Sequence, residues 1–203
     1  MYSPSHYRVT DQALINTLIK ENPFSTLITM EPELAITHLP FYLHGSDENV
    51  FLSSHMAKAN PQWIGLENKD ATIIFQGPHA YISPSWYTDH PANVPTWNYV
   101  VVHVKGNLRL ISEPDLALER LKQQIEFNEG FHGWSLPTDL SQIDALLKQI
   151  VVFDMQDLQF EAKFKLSQKQ DLPNKLNVIS RLETKGDVEK SLAKMMRKLS
   201  LDT

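Results

Sequence analysis

In several segments of this chain apolar residues recur at intervals of three to four residues, and these segments are predicted to be helices. Leu14 and Leu18 lie four residues apart in a short amphipathic segment from Thr10 to Asn22, which Thr10 or Asp11 can cap. The same spacing predicts further helices from Glu113 to about Asn128, from Thr138 to about Ile150, and from Asp187 into the tail. No helix followed by a short Gly-containing turn is predicted before the tail helix.

Other segments alternate between apolar and polar residues, which is the spacing of a β-strand. Every second residue from Val100 to Val104 shares one face of a strand at Tyr99–Arg109, and Gly106 marks a bulge or bend in it. In a strand at Val151–Leu166 the apolar face switches sides near Gln156-Asp157, where one extra residue would cause the switch. Shorter strands are predicted at Ser25–Met30, Leu34–Leu43, Val50–Ser53 and Ala71–Phe75.

These elements predict a mainly β protein with helices, of the α+β class. With 203 residues, 42% of them hydrophobic, the chain can bury one good core or two small ones. We expect one domain over residues 1–184, followed by a C-terminal helix over residues 185–203.

The net charge and the absence of cysteine argue against several classes of function. The net charge of -5 and the pI of about 5.9 argue against a protein whose main task is coating nucleic acid or an anionic membrane. The absence of cysteine excludes disulfides, thiolate nucleophiles and zinc–thiolate sites, and it fits a reducing cytoplasm. The first residues lack a basic region followed by an apolar run, and no window has the length of a membrane span. We therefore expect a cytoplasmic protein that makes no membrane contact.

The segment Gly77–Tyr99 concentrates aromatic residues, prolines and neutral hydrogen-bonding groups. Trp86 and Trp97 lie in it, and its four prolines predict a stiff, non-helical connection. Such a surface suits a planar heterocycle or a partner's backbone, because Trp and Tyr rings have apolar faces and one polar end. A dimer interface or a tightly packed loop would have the same composition.

The segment from Ser54 to Pro61 has the residues of an anion site. A strand that delivers Ser54, His55 and Lys58 to the start of a short helix places these side chains near exposed backbone N–H groups. Ser and Asn before a proline are also ordinary helix-start residues, and Lys58 could be a solvated lysine. Beside His103 no second His, Asp or Glu stands at a metal-like spacing, so no metal site is predicted.

Three motifs, preceded by a fourth, together resemble one family. They are GPHAYISPSWY (77–87), VPTWNY (94–99) and KLSQ (165–168), preceded by HMAKANPQW (55–63). In combination they resemble the PaiB-like proteins, described as FMN-binding negative transcriptional regulators. The resemblance implies an FMN-binding split β-barrel of the pyridoxamine-phosphate-oxidase type with appended C-terminal helices, dimeric and with flavin at the subunit interface.

The resemblance also implies which residues contact FMN. Ser54, His55, Lys58 and Asn60 would contact the phosphate and the ribityl chain. Trp97 and Asn98 would lie near the ring, and Lys165, Ser167 and Gln168 would form a second polar edge.

Three functions are compatible with these observations. The first is an FMN-binding negative transcriptional regulator that acts as a homodimer, with Trp97 at or near the interface. The second is an enzyme of the same barrel type, either a flavin-dependent oxidoreductase or a haem-binding or haem-degrading protein, and the third is a dimer whose pocket has no role. No catalytic motif is present, but a flavin enzyme needs none because the cofactor carries the chemistry. We do not expect the tail helix to contact DNA as a recognition helix, because the overall charge is negative.

Overall fold

The protein's computed structural model describes residues 1–45, 49–88, 93–130, 133–137 and 139–201. In these residues the helices are α1 (Gln12–Glu21), α2 (Pro114–Glu129), α3 (Leu140–Leu147), α4 (Leu172–Glu183) and α5 (Asp187–Leu201). The strands are β1 (Arg8–Val9), β2 (Phe24–Thr29), β3 (Ala35–Pro40), β4 (Tyr42–His44), β5 (Phe51–Ala57), β6 (Asp70–Ile82), β7 (Thr96–Leu110) and β8 (Ile150–Lys165).

The strands belong to one sheet in the order β3-β2-β6-β7-β8-β5-β4, and β1 pairs with β8. The pairings of β2 with β3 and β6, of β5 with β4 and β8, and of β1 with β8 are antiparallel. The predicted class, mainly β with helices, is confirmed.

The chain divides into two compact units. Unit 1 consists of Met1–Ile15, Gln76–Val102 and Glu161–Thr203, and unit 2 consists of Asn16–Phe75 and His103–Phe160. The three long strands β6, β7 and β8 each contribute residues to both units. The predicted domain boundary after residue 184 stays a prediction.

Unit 2 has an aromatic core. The Phe41 ring makes edge-on contacts with Phe75 and Phe153, at centroid distances of 6.3 and 6.1 Å, and all three side chains are fully buried. Helix α2 is tied to β4 by the Asn128 amide, whose Nδ2 donates to the Tyr42 hydroxyl at 2.7 Å.

The core of unit 1 lies under its two C-terminal helices. Helix α4 buries Val178, Ile179 and Leu182, and helix α5, which packs against it, buries Leu192, Ala193 and Met196. The Arg197 guanidinium also pairs with Glu183 at 2.7 Å, so an ion pair joins the two helices.

Several predictions from the residue pattern are confirmed. The side chains of Val100, Val102 and Val104 are fully buried on one face of β7. The bulge in β8 is present, because Asp157 has a left-handed φ of 54° and the fully buried apolar side chains change parity there, from Phe153 and Met155 to Phe164. Gly106 faces this bulge, and a Cβ on it would stand 2.5 Å from the Gln156 carbonyl oxygen. Asp11 caps α1, since its carboxylate accepts from Ala13 N at 2.9 Å.

Two predictions about elements are wrong. Helix α4 is missing from the sequence-based assignment, although it precedes α5 across the three residues 184–186 and Asp171 caps it. The Gly77–Tyr99 segment is not a loop throughout, because β6 continues to Ile82. Pro78 lies beyond the residues of β6 that pair with β2, which are residues 71–74.

Some predictions fall partly outside the described residues: residues 89–92 of the Gly77–Tyr99 segment and Thr138. Asp139, beside Thr138, caps α3 by accepting from Ser141 N at 2.8 Å. Across the described part of the chain, no helix is long and apolar enough to cross a membrane.

Candidate functional site: a lysine cavity and two polar clusters

A cavity of about 530 Å³ lies within unit 1, at the end of β8, and we call it the lysine cavity. Its lining residues are Tyr2, Pro4, His6, Tyr7, Thr96, Trp97, Tyr99, Lys163, Lys165 and Lys169. Residues two apart in a strand point to the same side, which places the first two lysines together. Strand β1 brings the N-terminal aromatic residues to them, because Arg8 is the register partner of Lys163. The described lining contains three lysines and no Asp or Glu, so the cavity is cationic.

Lys165 is fixed between the cavity and the start of β7. Its Nζ donates to the Trp97 carbonyl at 2.6 Å and to Thr96 Oγ1. Burial lowers the pKa of Lys165, and the neighbouring Lys163 ammonium lowers this pKa further. The half-buried ammonium of Lys165 therefore lies in a place that disfavours positive charge.

Lys163 is almost entirely buried, with 8% of its surface exposed. Its Nζ donates to the Tyr2 carbonyl at 3.1 Å and lies 5.5 and 5.3 Å from the ring centroids of Tyr2 and Tyr99. These contacts are a neutral acceptor and two cation–π interactions. The carboxylate two residues earlier on β8, that of Glu161, pairs with the Met1 amino group.

The three motifs that carry the family resemblance meet at Ser167. Its hydroxyl accepts from Asn98 Nδ2 at 2.9 Å and lies 3.3 Å from the Tyr87 hydroxyl. Ser167 has a left-handed φ of 61°, a conformation that is costly for a residue with a Cβ. The Gln168 side chain closes this turn, because its Oε1 accepts from Leu166 N at 2.8 Å and its Nε2 donates to the Phe164 carbonyl.

Asn98 is buried, with 1% exposure, so its side chain holds neighbouring site residues in place and does not face solvent. Besides its bond to Ser167, its Nδ2 lies 3.6 Å from the Met196 sulfur of α5. Its Oδ1 is buried and has no hydrogen-bond partner among the described residues. The Asn98 amide thus links the start of β7 to the KLSQ turn and to α5.

Trp97 presents its ring to solvent, with 53% of the residue exposed. The rings of His79 and Tyr81 on β6 lie 6.3 and 6.1 Å from the indole centroid, and Tyr81 meets it edge-on. The predicted aromatic surface is therefore present on β6 and β7 of unit 1.

The predicted phosphate contacts lie in unit 2, where β5 leads into a short 3₁₀ helix at Pro61–Trp63. Ser54 is fully buried in β5 and donates to the Pro40 carbonyl at 2.8 Å. His55 is half-buried, and its Nδ1 lies 2.8 Å from Gln124 Oε1 on α2. Both side chains therefore have structural partners within the unit.

Of the two predicted contacts that follow β5, Asn60 makes structural hydrogen bonds and Lys58 has an exposed side chain. Asn60 caps the 3₁₀ helix by accepting from Gln62 N at 3.0 Å, and its Nδ2 donates to Thr37 Oγ1 at 2.9 Å. Lys58 has an exposed side chain, while its backbone N–H donates to the Gln149 carbonyl at 2.8 Å. Within this segment Lys58 is the cation available to an anionic ligand.

The sequence-based analysis missed Lys163, Lys169 and the N-terminal tyrosines as site residues. The shared parity of residues 163 and 165 was a usable signal for the lysines. The tyrosines gave no such signal, because a strand of two residues brings them to β8 across more than 150 positions of sequence. In the described residues no group of three or more His, Cys, Asp or Glu side chains is placed to hold a metal ion.

Comparison with known proteins shows a family and a fold. The chain matches the family model described as "Putative FMN-binding domain" over residues 1–156. It is 36% identical over 206 residues to the Protease synthase and sporulation protein PAI 2 of Bacillus subtilis (strain 168), covering 100% of this chain and 97% of that protein. The PaiB-like resemblance is confirmed.

Two solved structures share the fold. The flavocytochrome Anf3 from Azotobacter vinelandii has a TM-score of 0.61 at 17% identity, covering 78% of this chain and 69% of that one. The FAD and haem binding protein from Mycobacterium smegmatis has a TM-score of 0.61 at 12% identity, covering 84% and 78%. At these identities the likeness shows the fold alone, and the predicted split barrel is confirmed.

Proposed function

The chain belongs to the FMN-binding domain family whose model it matches over residues 1–156, and we propose that it binds FMN and acts as a dimeric, PaiB-like negative transcriptional regulator in the cytoplasm. The similarity to PAI 2 over the full length supports the PaiB-like part of this proposal.

The proposal that the chain binds flavin rests on the exposed indole ring of Trp97. Its exposed indole is flanked by His79 and Tyr81, and its backbone carbonyl is fixed by Lys165 at 2.6 Å. A rigid aromatic face beside an ammonium fits the isoalloxazine ring, which is flat, largely apolar and rich in hydrogen-bond acceptors. Bound FMN would supply the redox chemistry of that ring, and the residues of this chain would bind and orient it.

We propose two roles for the nine FMN contacts. Four would touch the ligand: His55, Lys58, Trp97 and Lys165, whose side chains are exposed or half-buried. Five are committed to internal hydrogen bonds and would hold the site in shape: Ser54, Asn60, Asn98, Ser167 and Gln168. We propose that Lys58 contacts the phosphate, because it is the exposed cation of its segment.

The test of this assignment compares Lys58→Ala with Lys194→Ala. Both lysines are exposed, and Lys194 lies on α5 in the other unit. Loss of a charge-assisted contact to phosphate should weaken FMN binding about tenfold or more, whereas loss of a solvated charge should leave it unchanged. Titration followed by flavin fluorescence measures both dissociation constants. Equal losses in the two variants would remove the segment from Ser54 to Asn60 as the phosphate site.

An enzyme of the same barrel type is the alternative, either a flavin-dependent oxidoreductase or a haem-binding or haem-degrading protein. It is raised by the names of the flavocytochrome and of the FAD and haem binding protein. The absorption spectrum of the protein after addition of FMN or of haem distinguishes these cofactors.

A further inference from the structure

We propose that a cleft between helix α4 and the Pro84–Trp86 turn binds a small sugar phosphate, a polyol that carries one phosphate group. The cleft has a volume of about 380 Å³ and lies wholly in unit 1. None of the nine proposed FMN contacts is among its described lining residues. The inference therefore goes beyond the proposed function and does not depend on it.

The cleft is formed by two segments that hydrogen bonds hold together. The Pro84–Trp86 segment is a 3₁₀ helix, and just after it the Thr88 backbone N–H donates to Asn174 Oδ1 on α4 at 2.9 Å. The α4 side chains that line the cleft recur at intervals of three and four residues, so they share one face of the helix: Asn177, Ser180, Arg181 and Thr184. This polar face meets the turn of the GPHAYISPSWY motif, whose Trp86 has no part in the proposed flavin site.

The first argument is the state of Arg181. The other four arginines of the chain donate to a described carboxylate or carbonyl oxygen: Arg8, Arg109, Arg120 and Arg197. The Arg181 guanidinium lines the cleft and has no hydrogen-bond or ion-pair partner among the described residues. Glu183, the next acid along α4, pairs with Arg197 at 2.7 Å. Because a guanidinium matches the paired oxygens of a carboxylate or a phosphate, a ligand oxyanion would be the partner of Arg181.

The second argument is the charge around the cleft. The Lys185 Nζ lies 5.4 Å from the centroid of the Trp86 ring, which places a second cation beside Arg181. The described lining contains no Asp or Glu. A carboxylate carries one negative charge, whereas a phosphate monoester carries about two at neutral pH. The phosphate therefore matches the two cations better.

The third argument is the chemistry of the remaining wall. The hydroxyls of Ser85 and Ser180 and the amide of Asn177 can both donate and accept, and Trp86 adds a half-buried ring. The hydroxyls of a sugar can use these polar groups, and its C–H groups can contact the indole. Inorganic phosphate would leave this wall without contacts. The volume of the cleft is at the lower end of the usual range for small-molecule sites, so it suits a small ligand.

The experiment is calorimetric titration of the full-length protein with glucose 6-phosphate. Glucose, a neutral sugar, and inorganic phosphate, an anion without a sugar, are the reference probes. We expect glucose 6-phosphate to bind at least about tenfold more tightly than either reference.

Variants at exposed arginines locate the site. Arg181→Gln should weaken glucose 6-phosphate binding about tenfold or more, whereas Arg109→Gln, the same change in unit 2, should leave it unchanged. Arg181→Lys keeps the charge and loses the paired donors, so its affinity should fall between those of the parent and Arg181→Gln.

FMN also carries a phosphate, so it is the competitor in the same titration. Saturating FMN should change the dissociation constant of glucose 6-phosphate by no more than about twofold, as expected for sites without shared partners. Lys58→Ala should weaken FMN binding and leave glucose 6-phosphate binding intact. Binding of glucose 6-phosphate by a protein that fails to bind FMN would refute the proposed function and support this inference.

Four results would overturn the inference. They are the absence of glucose 6-phosphate binding, a reference probe that binds as tightly, equal losses in Arg181→Gln and Arg109→Gln, and stoichiometric displacement of glucose 6-phosphate by FMN. The last result would identify the cleft as part of a flavin site.

Discussion

Ser167 combines a costly backbone conformation with a hydroxyl that joins three motifs. Its φ of 61° favours glycine, and its Oγ accepts from the buried Asn98 amide. In Ser167→Ala the strain remains and the amide loses its acceptor, which should lower the free energy of unfolding by about 1–3 kcal/mol. Ser167→Gly loses the same bond but relieves the strain, so it should be the more stable variant by about 1 kcal/mol. Urea unfolding compares the two, and an alanine variant as stable as the parent would contradict this account.

Lys165 should make anion binding depend on pH. Its pKa lies below the ordinary 10.5 because of burial and the Lys163 ammonium, and a bound anion would raise this pKa again. Binding is therefore coupled to proton uptake, and affinity for FMN, which is an anion, should fall as pH rises through the lowered pKa. Lys163, Lys169, His6 and the tyrosines of the cavity face the same ligand. Lys165→Met, which cannot titrate, is the control, and an identical pH profile in this variant would show that Lys165 is not the group responsible.

At the scale of elements, α4 and α5 bear on whether the tail helix could act as a DNA recognition helix. The prediction that no helix with a short Gly-containing turn precedes the tail helix was one reason to discount a recognition helix. It is wrong, because α4 precedes α5 across residues 184–186, which include Gly186. Two others hold: the net charge is -5, and on α5 Arg197 pairs with Glu183 and Lys190 lies 3.8 Å from Asp187. The inner face of α5 is also used in the core, where Leu192 and Met196 are fully buried.

We therefore expect no sequence-specific DNA binding by α5. The measurement is a gel shift with random-sequence DNA and with DNA from upstream of the protein's own gene, at two salt concentrations. The informative variant is Lys194→Gln with Lys198→Gln, because both lysines are exposed. A truncation would expose the core of unit 1 instead. A specific shift that the double variant abolishes would make α5 the DNA-reading element.

Local patterns predicted those elements whose signal lies in neighbouring residues. Alternation located β7, and the change of parity located the bulge at Asp157. Helix α4 had its signals too, with Asp171 as cap and proline in the first turn, but its buried apolar residues lie only within 178–182. The lysine cavity could not be predicted, because it depends on pairing between β1 and β8, a contact that local sequence does not encode.

At the scale of the whole molecule, exposed aromatic surface is the basis for expecting a homodimer. Trp97 and Tyr81 are 53% and 45% exposed, and their rings meet edge-on. Together they expose more apolar ring surface than isolated exposed residues usually do. Tyr81→Lys should shift the protein to a monomer by light scattering at micromolar concentration. Ile64→Lys is the matched control, since Ile64 is 57% exposed in unit 2. A parent protein that is monomeric with and without FMN would contradict the expectation.

FMN binding is the central claim, and the visible absorption spectrum of the protein tests it most directly. The protein is mixed with excess FMN, passed through a desalting column and measured, with a parallel sample mixed with haem. The account predicts that the two visible flavin bands elute with the protein in about one equivalent per chain, and that Lys58→Ala retains less under the same conditions. A protein that elutes without flavin bands, or that retains haem with its intense Soret band and no flavin, would contradict it.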